Sequence, residues 1–277
     1  MKLGLIQTKH EPMYNFLSPP VGLTAEQCRA QQSRQVEQNL SLLAGAEGQS
    51  YDLLVTTECV NYVRIAWEGC YPALDSGETQ AFSEAARRAR SWLVAGLAFR
   101  ENGSNRNGAL IFDRAGKLRQ VYRKTHLAGD EGEAFAPGDC LCVQDADFGR
   151  FGVAVCWDMQ FPEVARTLAL RGAKLVACPT WGWEAGLYGR ARAYENGIFA
   201  AAAMAVPAWG PIEAPRTPSS VVGPDGEMLA CGSADAAALV SCSLDLSRTA
   251  EYRAVRLESR RPELYFTQKG DAGHADT

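Results

Sequence analysis

A layered α/β architecture is what this sequence predicts, on three observations. Short apolar or β-branched runs bounded by turn residues recur along the chain. Helix-length stretches with start and stop signals separate several of them. Two pairs of runs, 108–113 with 117–123 and 219–223 with 227–231, read as hairpins. At 277 residues, 47% hydrophobic and 22% charged, the chain is long enough for a sizeable core and suits one large domain.

Taken in order, residues 3–7 form the first strand, followed by a Pro-rich polar loop over 9–24. A helix is expected over 25–44, with Thr24 as N-cap and Gly45 and Gly48 at its exit. A strand at 53–58, a helix at 79–90 and strands at 92–99, 108–113 and 119–123 follow. The strand at 151–156 leads into a helix over 162–172, which has Pro162 in its first turn and stops at Gly172. Strands at 174–178, 198–205, 219–223 and 237–244 complete the set, with Pro224-Asp225-Gly226 as a turn signal. Residues 267–277 read as a flexible tail, and no 20–50-residue repeat is visible.

Composition narrows the function classes. A formal net charge of −4, with basic residues only in isolated pairs such as Arg87-Arg88 and Arg260-Arg261, carries no electrostatic footprint for nucleic acid. No apolar run approaches the roughly 20 residues of a membrane span, and the start lacks a signal-peptide core, so a cytoplasmic protein is expected. Nine cysteines without C-x-x-C pairs are expected to be reduced thiols, most of them, such as Cys178 and Cys242, small core residues.

Only three histidines are present, His10, His126 and His274. There is no G-x-S-x-G elbow, no recognisable zinc-ligand spacing, no P-loop and no G-x-G-x-x-G turn. What remains is thiol or carboxylate chemistry without a metal or organic cofactor.

One segment fits that chemistry. Gly152-Val153-Ala154-Val155-Cys156-Trp157-Asp158 ends an apolar strand in a cysteine just before a turn and a helix start, a setting that binds ligands in open α/β sheets and favours a thiolate. Taken alone, such a cysteine is equally compatible with core packing. Two further strands change the balance: 53–58 ends in Glu58, and 119–123 runs into Lys124, one of only six lysines. Amide attack needs a thiolate, a group that moves its proton, and positive charge where the oxyanion develops, and these three residue types supply them.

In these blocks the chain resembles the nitrilase superfamily of carbon–nitrogen hydrolases. The resemblance rests on Glu58, Tyr122-Arg123-Lys124-Thr125-His126-Leu127, Phe135-Ala136-Pro137-Gly138, the Cys156 block closing with Phe161-Pro162-Glu163 and Arg166, Arg192-Ala193-Tyr194-Glu195-Asn196, and Ser219-Ser220-Val221-Val222-Gly223-Pro224-Asp225-Gly226. It implies a four-layer αββα sandwich over residues 1–266, a Glu58–Lys124–Cys156 triad, a small-molecule amide substrate, and a homodimer or higher homo-oligomer. It also implies a second glutamate beside the lysine, which is Glu131 by its seven-residue spacing to Gly138, with Glu133 as the alternative. Lys124 and the Trp157 backbone N–H would hold the oxyanion.

Other positions have plainer readings. His126 orders the loop after Lys124. Asp158 and Glu163 cap or complement a helix start, and Arg166, Arg192 and Glu195 form a charge network. Trp181, Trp183 and Tyr188 are candidate pocket walls or interface aromatics.

Departures from the family pattern bear on the substrate. Thr57 stands where many members have proline, and the 9–24 loop is longer than usual. Met159 and Gln160 replace the arginine with which N-carbamoyl amino acid hydrolases bind a carboxylate, although Arg190 is a conceivable substitute. Trp157 is nitrilase-like, whereas Asp158 is amidase-like. An amide is therefore preferred over a nitrile or N-carbamoyl substrate, with acyl transfer and an inactive binding member as the remaining alternatives.

Overall fold

The computed structural model describes residues 1–10, 24–62, 70–208 and 210–265. In chain order the elements are β1 (Lys2–Gln7), β2 (Lys9–His10), α1 (Ala25–Ala44), β3 (Leu53–Val55), α2 (Gly77–Ala89), β4 (Trp92–Glu101), β5 (Ser104–Phe112) and β6 (Leu118–Arg123). Then come α3 (Glu131–Ala134), β7 (Val143–Ala146), β8 (Gly149–Val153), α4 (Pro162–Leu170), β9 (Leu175–Thr180), α5 (Arg190–Asn196) and β10 (Phe199–Met204). The chain continues through β11 (Val206–Pro207), β12 (Ser220–Val222), β13 (Met228–Cys231), β14 (Ala238–Ser243) and α6 (Thr249–Arg256).

Two six-stranded sheets, ordered β14-β1-β3-β4-β5-β6 and β13-β12-β10-β9-β8-β7, carry the architecture. Each has a parallel centre, β1/β3/β4 and β8/β9/β10, and antiparallel edges. The strands read as continuous apolar runs because both of their faces are buried. Leu3, Leu5, Leu53, Val55, Val94 and Ile111 meet Phe151, Val153, Leu175, Ala177 and Phe199 in one inner core between the sheets. The alternate residues Ile6, Leu54, Leu93 and Leu110 join Leu43, Phe82 and Ala86 from α1 and α2 on one outer face. Val176, Cys178 and Ala200 join Val164, Leu168 and Ala193 from α4 and α5 on the other. The result is the four-layer αββα sandwich.

Local signals explain several boundaries. The Thr24 hydroxyl accepts from the Gln27 N–H, and the Gln27 side chain accepts in return from the Thr24 N–H, a reciprocal cap at the predicted start of α1. The turn at Gly226 (φ 85°) closes the β12/β13 hairpin as expected.

Other expectations are corrected. The strand placed at 53–58 ends at Val55, since the Thr56 hydroxyl takes the Gly96 N–H and turns the chain out of the sheet. The strand placed at 151–156 ends at Val153. The runs at 92–99 and 108–113 are parts of one long hairpin, β4/β5, joined by Asn102-Gly103 with both residues at positive φ. Helices α5 and α6 were not read from the sequence at all, both being short. Of the 9–24 loop, Lys9–His10 form β2 against β11 and Thr24 caps α1, while 11–23 lie outside the described residues, as does the 267–277 tail. No helix among the described residues is long and apolar enough to cross a membrane.

Candidate active site

β6 runs antiparallel to β5, and β5 to β4, so β6 points the same way as β3, and both end at the same edge of the first sheet. Glu58 follows β3 and Lys124 follows β6, which is why residues 66 positions apart meet there. Lys124 Nζ donates to Glu58 Oε1 at 2.8 Å and to Glu131 at 2.7 Å (Oε2) and 2.9 Å (Oε1). All three are buried, at 0%, 1% and 4% exposure for Glu58, Lys124 and Glu131. Glu131 is therefore the glutamate at the lysine, while Glu133 is exposed.

Glu131 is fixed on its other side by the Ala128 N–H, 2.6 Å from Oε2, in the turn that starts α3. Asn107, on β5, donates through Nδ2 to both Glu58 Oε1 (2.8 Å) and Glu131 Oε1 (3.1 Å). Sequence reasoning missed Asn107, although an asparagine just before the apolar run of β5 was a readable signal. Glu58 Oε2 has no partner among the described residues and is left to accept a proton or hydrogen bond.

Burial pushes the Glu58 carboxyl above the ordinary range; the Lys124 ammonium opposes that and the Glu131 charge adds to it. For Lys124 burial works against the charged form, but Glu58, Cys156 and Glu131 outweigh it and hold the ammonium well above its ordinary value.

Cys156 follows β8 in the second sheet with φ 46°, left-handed backbone that costs a non-glycine residue on the order of 1–3 kcal/mol. That sharp turn leaves the residue half-buried. Burial, with the Glu58 charge adding and Lys124 opposing, pushes the thiol up to about 12. The Thr180 side chain and the Trp181 backbone oppose that rise, and Gly182 passes beside the sulfur. The expectation of a thiolate favoured here is thus corrected: a short 3-10 helix, Cys156–Gln160, does begin at the residue, but burial dominates and favours the neutral thiol.

Asp158 ties the two strand ends together. Buried itself, it accepts from the Val155 N–H (2.9 Å), Tyr122 OH (2.8 Å), the Thr125 hydroxyl (2.8 Å) and N–H (3.2 Å), the His126 N–H (2.9 Å) and His126 Nδ1 (3.1 Å). Burial alone would raise its carboxyl; the hydrogen bonds from His126, Val155 and Tyr122 outweigh that and hold it low. Asp158 clamps the Cys156 turn to the Lys124 strand and, as expected, caps a helix start, that of the short 3-10 helix Cys156–Gln160, by accepting from the N–H of its N-cap Val155. His126 stacks on Phe161 at 4.1 Å within the same clamp.

Of the charge network, Arg192 pairs with Glu195 at 3.2 Å and donates to the Met159 and Gln160 carbonyls, whereas Arg166 Nη1 has no partner among the described residues. Trp157 is 41% exposed at the first turn after the cysteine. Trp181 is buried, donates to the Glu58 carbonyl at 3.1 Å, and lines a cavity of about 640 Å³ with Glu184, Met204, Ile212 and Arg216. Trp183 and Tyr188, expected as pocket walls or interface aromatics, are buried in the layer behind β9. Trp183 is fully buried behind β9, donates to Ser220 Oγ at 2.7 Å, and meets Tyr188 edge-on, while the Tyr188 hydroxyl donates to the Gly182 carbonyl. No three His, Cys, Asp or Glu side chains among the described residues converge as metal ligands.

Two sheets stacked in an αββα sandwich, with a glutamate, a lysine and a cysteine at their strand ends, define a class of hydrolase, and the comparisons agree. Residues 21–254 match the carbon–nitrogen hydrolase family, and the chain belongs to it. It is 35% identical over 205 residues to a hydrolase from Pseudomonas protegens, covering 70% of each chain. It is 31% identical over 217 residues to the omega-amidase of Homo sapiens, covering 69% of this chain and 75% of that one. Among solved structures, the NitN amidase superposes with a TM-score of 0.75 at 26% identity, over 95% of this chain and 98% of that one. A mutant of the amidase from Nesterenkonia sp. AN1, carrying the acetamide moiety of fluoroacetamide covalently on its active-site cysteine, superposes with a TM-score of 0.75 at 25% identity, over 95% of each chain.

Proposed function

We propose that this hydrolase cleaves a small linear amide to an acid and ammonia or an amine through a thioester on Cys156. The observation that carries the reading is the buried Glu58–Lys124–Glu131 cluster set beside a half-buried cysteine. A thiol pushed up to about 12 is protonated at neutral pH and needs a base in step with its attack. Glu58, raised by burial and with Oε2 unengaged, suits that task.

As sulfur bonds to the carbonyl carbon, Glu58 takes the thiol proton. Lys124 Nζ and the Trp157 backbone N–H receive the oxyanion. The C–N bond breaks, nitrogen leaves with the proton Glu58 returns, and the acyl group stays on sulfur. Glu58 then takes a proton from water, the hydroxide displaces sulfur as the acid, and the proton returns to Cys156. Glu131 orients Lys124 throughout and keeps it charged.

The amide is preferred to an N-carbamoyl amino acid because Met159 and Gln160 stand where a carboxylate-binding arginine is expected, and the neighbouring Arg192 is committed to their two carbonyls and to Glu195. The amidase relatives support the same choice over a nitrile. The test is ammonia release from a panel of aliphatic and aromatic amides, nitriles and N-carbamoyl compounds, with Cys156→Ala alongside. Release confined to amides and lost in the variant is expected; equal release by Cys156→Ala sinks the mechanism.

A homo-oligomer is part of the proposal. Leu187, Tyr194 and Val255 stand exposed on and beside α5 and α6, an apolar face that a second copy would cover. Light scattering on the eluting protein should give at least twice the 30.0 kDa chain mass.

A further inference from the structure

A second buried polar contact lies behind Glu58, outside the proton path. His10, the last residue of β2, is fully buried, with Nε2 3.3 Å from the Thr57 hydroxyl, which is itself 3.4 Å from the Thr8 hydroxyl. Burial pushes the imidazole down to about 3, so it is neutral. Nδ1 has no partner among the described residues. The tautomer with its proton on Nε2 leaves only an acceptor unpaired, so Nε2–H donates to Thr57. The ring also meets Trp181 edge-on, with centroids 4.8 Å apart at 89°. Trp181 Nε1 donates to the Glu58 carbonyl at 3.1 Å.

One imidazole thus touches the residue before Glu58 and the residue that holds the Glu58 carbonyl. An apolar ring would fill the same space without burying an unpaired nitrogen, so filling space does not explain a histidine here. The Thr57 hydroxyl restrains the backbone just before Glu58 through its contact with His10.

We propose that His10 is a positioning residue that, through Thr57 and Trp181, sets where the Glu58 carboxylate stands relative to Cys156. The inference rests on the reading of Glu58 as the base.

The test compares the wild-type chain with Thr57→Val, Thr57→Ser, His10→Phe and His10→Gln. The rate at which iodoacetamide alkylates Cys156 is followed by peptide mass spectrometry, which needs no known substrate, and kcat and KM are measured on the best amide of the panel. Misplacing a catalytic group by a fraction of an ångström should slow alkylation and kcat by about 10-fold, with KM within about twofold. Thr57→Ser and His10→Gln, which keep a hydrogen-bonding group at the contact, should recover most of the rate, and Thr57→Val should melt within a few degrees of wild type.

Thr57→Val and His10→Phe reacting within about twofold of wild type would overturn the proposal, as would Thr57→Ser being as slow as Thr57→Val. Should His10→Phe fail to fold, the Thr57 pair decides. Wild-type Cys156 reacting no faster than exposed Cys140 and Cys231 would instead remove the catalytic reading, and this inference with it.

Discussion

Replacing Lys124 by methionine tests the cluster most severely, because it removes one charge and little volume. In wild type the Lys124 ammonium donates to two carboxylates that expose at most 4% of their surface. Lys124→Met leaves both facing each other without a cation between them, with Asn107 Nδ2 on both and the Ala128 N–H on Glu131. Breaking a buried ion pair from one side costs roughly 3–5 kcal/mol. In a chain of this size about 2–4 °C of Tm accompany each kcal/mol, so a drop on the order of 10 °C is expected.

The loss should depend on pH with a definite sign. Burial already holds the Glu58 carboxyl above its unfolded value, and Lys124 is what opposes that rise. Without Lys124 the folded pKa climbs further, so the folded variant binds a proton that the unfolded chain does not. Stability then falls as pH rises from the ordinary carboxylate range through the raised folded value. The Tm deficit relative to wild type should be largest near pH 8 and shrink toward pH 5, read by calorimetry across that range. Turnover should fall by roughly 100- to 1000-fold through loss of oxyanion stabilisation. A Lys124→Met protein melting within a degree of wild type at pH 8, or with a deficit that grows toward pH 5, would refute the account of the cluster.

Cys156→Ala should abolish ammonia release while circular dichroism and Tm stay near wild type, since the residue is half-buried and only a neutral thiol is lost. Glu131→Ala should lower kcat by at least about 10-fold, whereas Glu133→Ala, exposed on α3, should leave activity within about twofold and stability within about 0.5 kcal/mol, measured by urea unfolding and amide kinetics. Asp158→Asn keeps the shape but turns one acceptor into a donor facing the Val155, Thr125 and His126 donors; a loss of about 2–3 kcal/mol and slower Cys156 alkylation are expected from the same two assays.

What the sequence by itself determined was local or periodic. The Thr24 cap, the Pro224-Asp225-Gly226 turn and the doubly buried strands were legible because neighbouring residues dictate them, and the three strand-end groups Glu58, Lys124 and Cys156 were legible because each ends an apolar run. The Asn102-Gly103 turn was equally legible and was overlooked. Helices α5 and α6 escaped because seven or eight residues hold too few helical turns for a periodic signal.

Only the tertiary structure decided which glutamate reaches Lys124. Glu131 and Glu133 lie two residues apart in one acidic loop, and only the turn at Ala128 aims Glu131 inward. Likewise Trp183, expected in a pocket, is buried behind β9, and the protonation of Cys156 follows from burial beside Glu58. The physical reason is common to all three: side-chain direction, desolvation and charge coupling depend on which segments the two sheets bring together, and residues 10, 57, 107, 124, 158 and 181 are distant in sequence but meet at one edge of the sandwich.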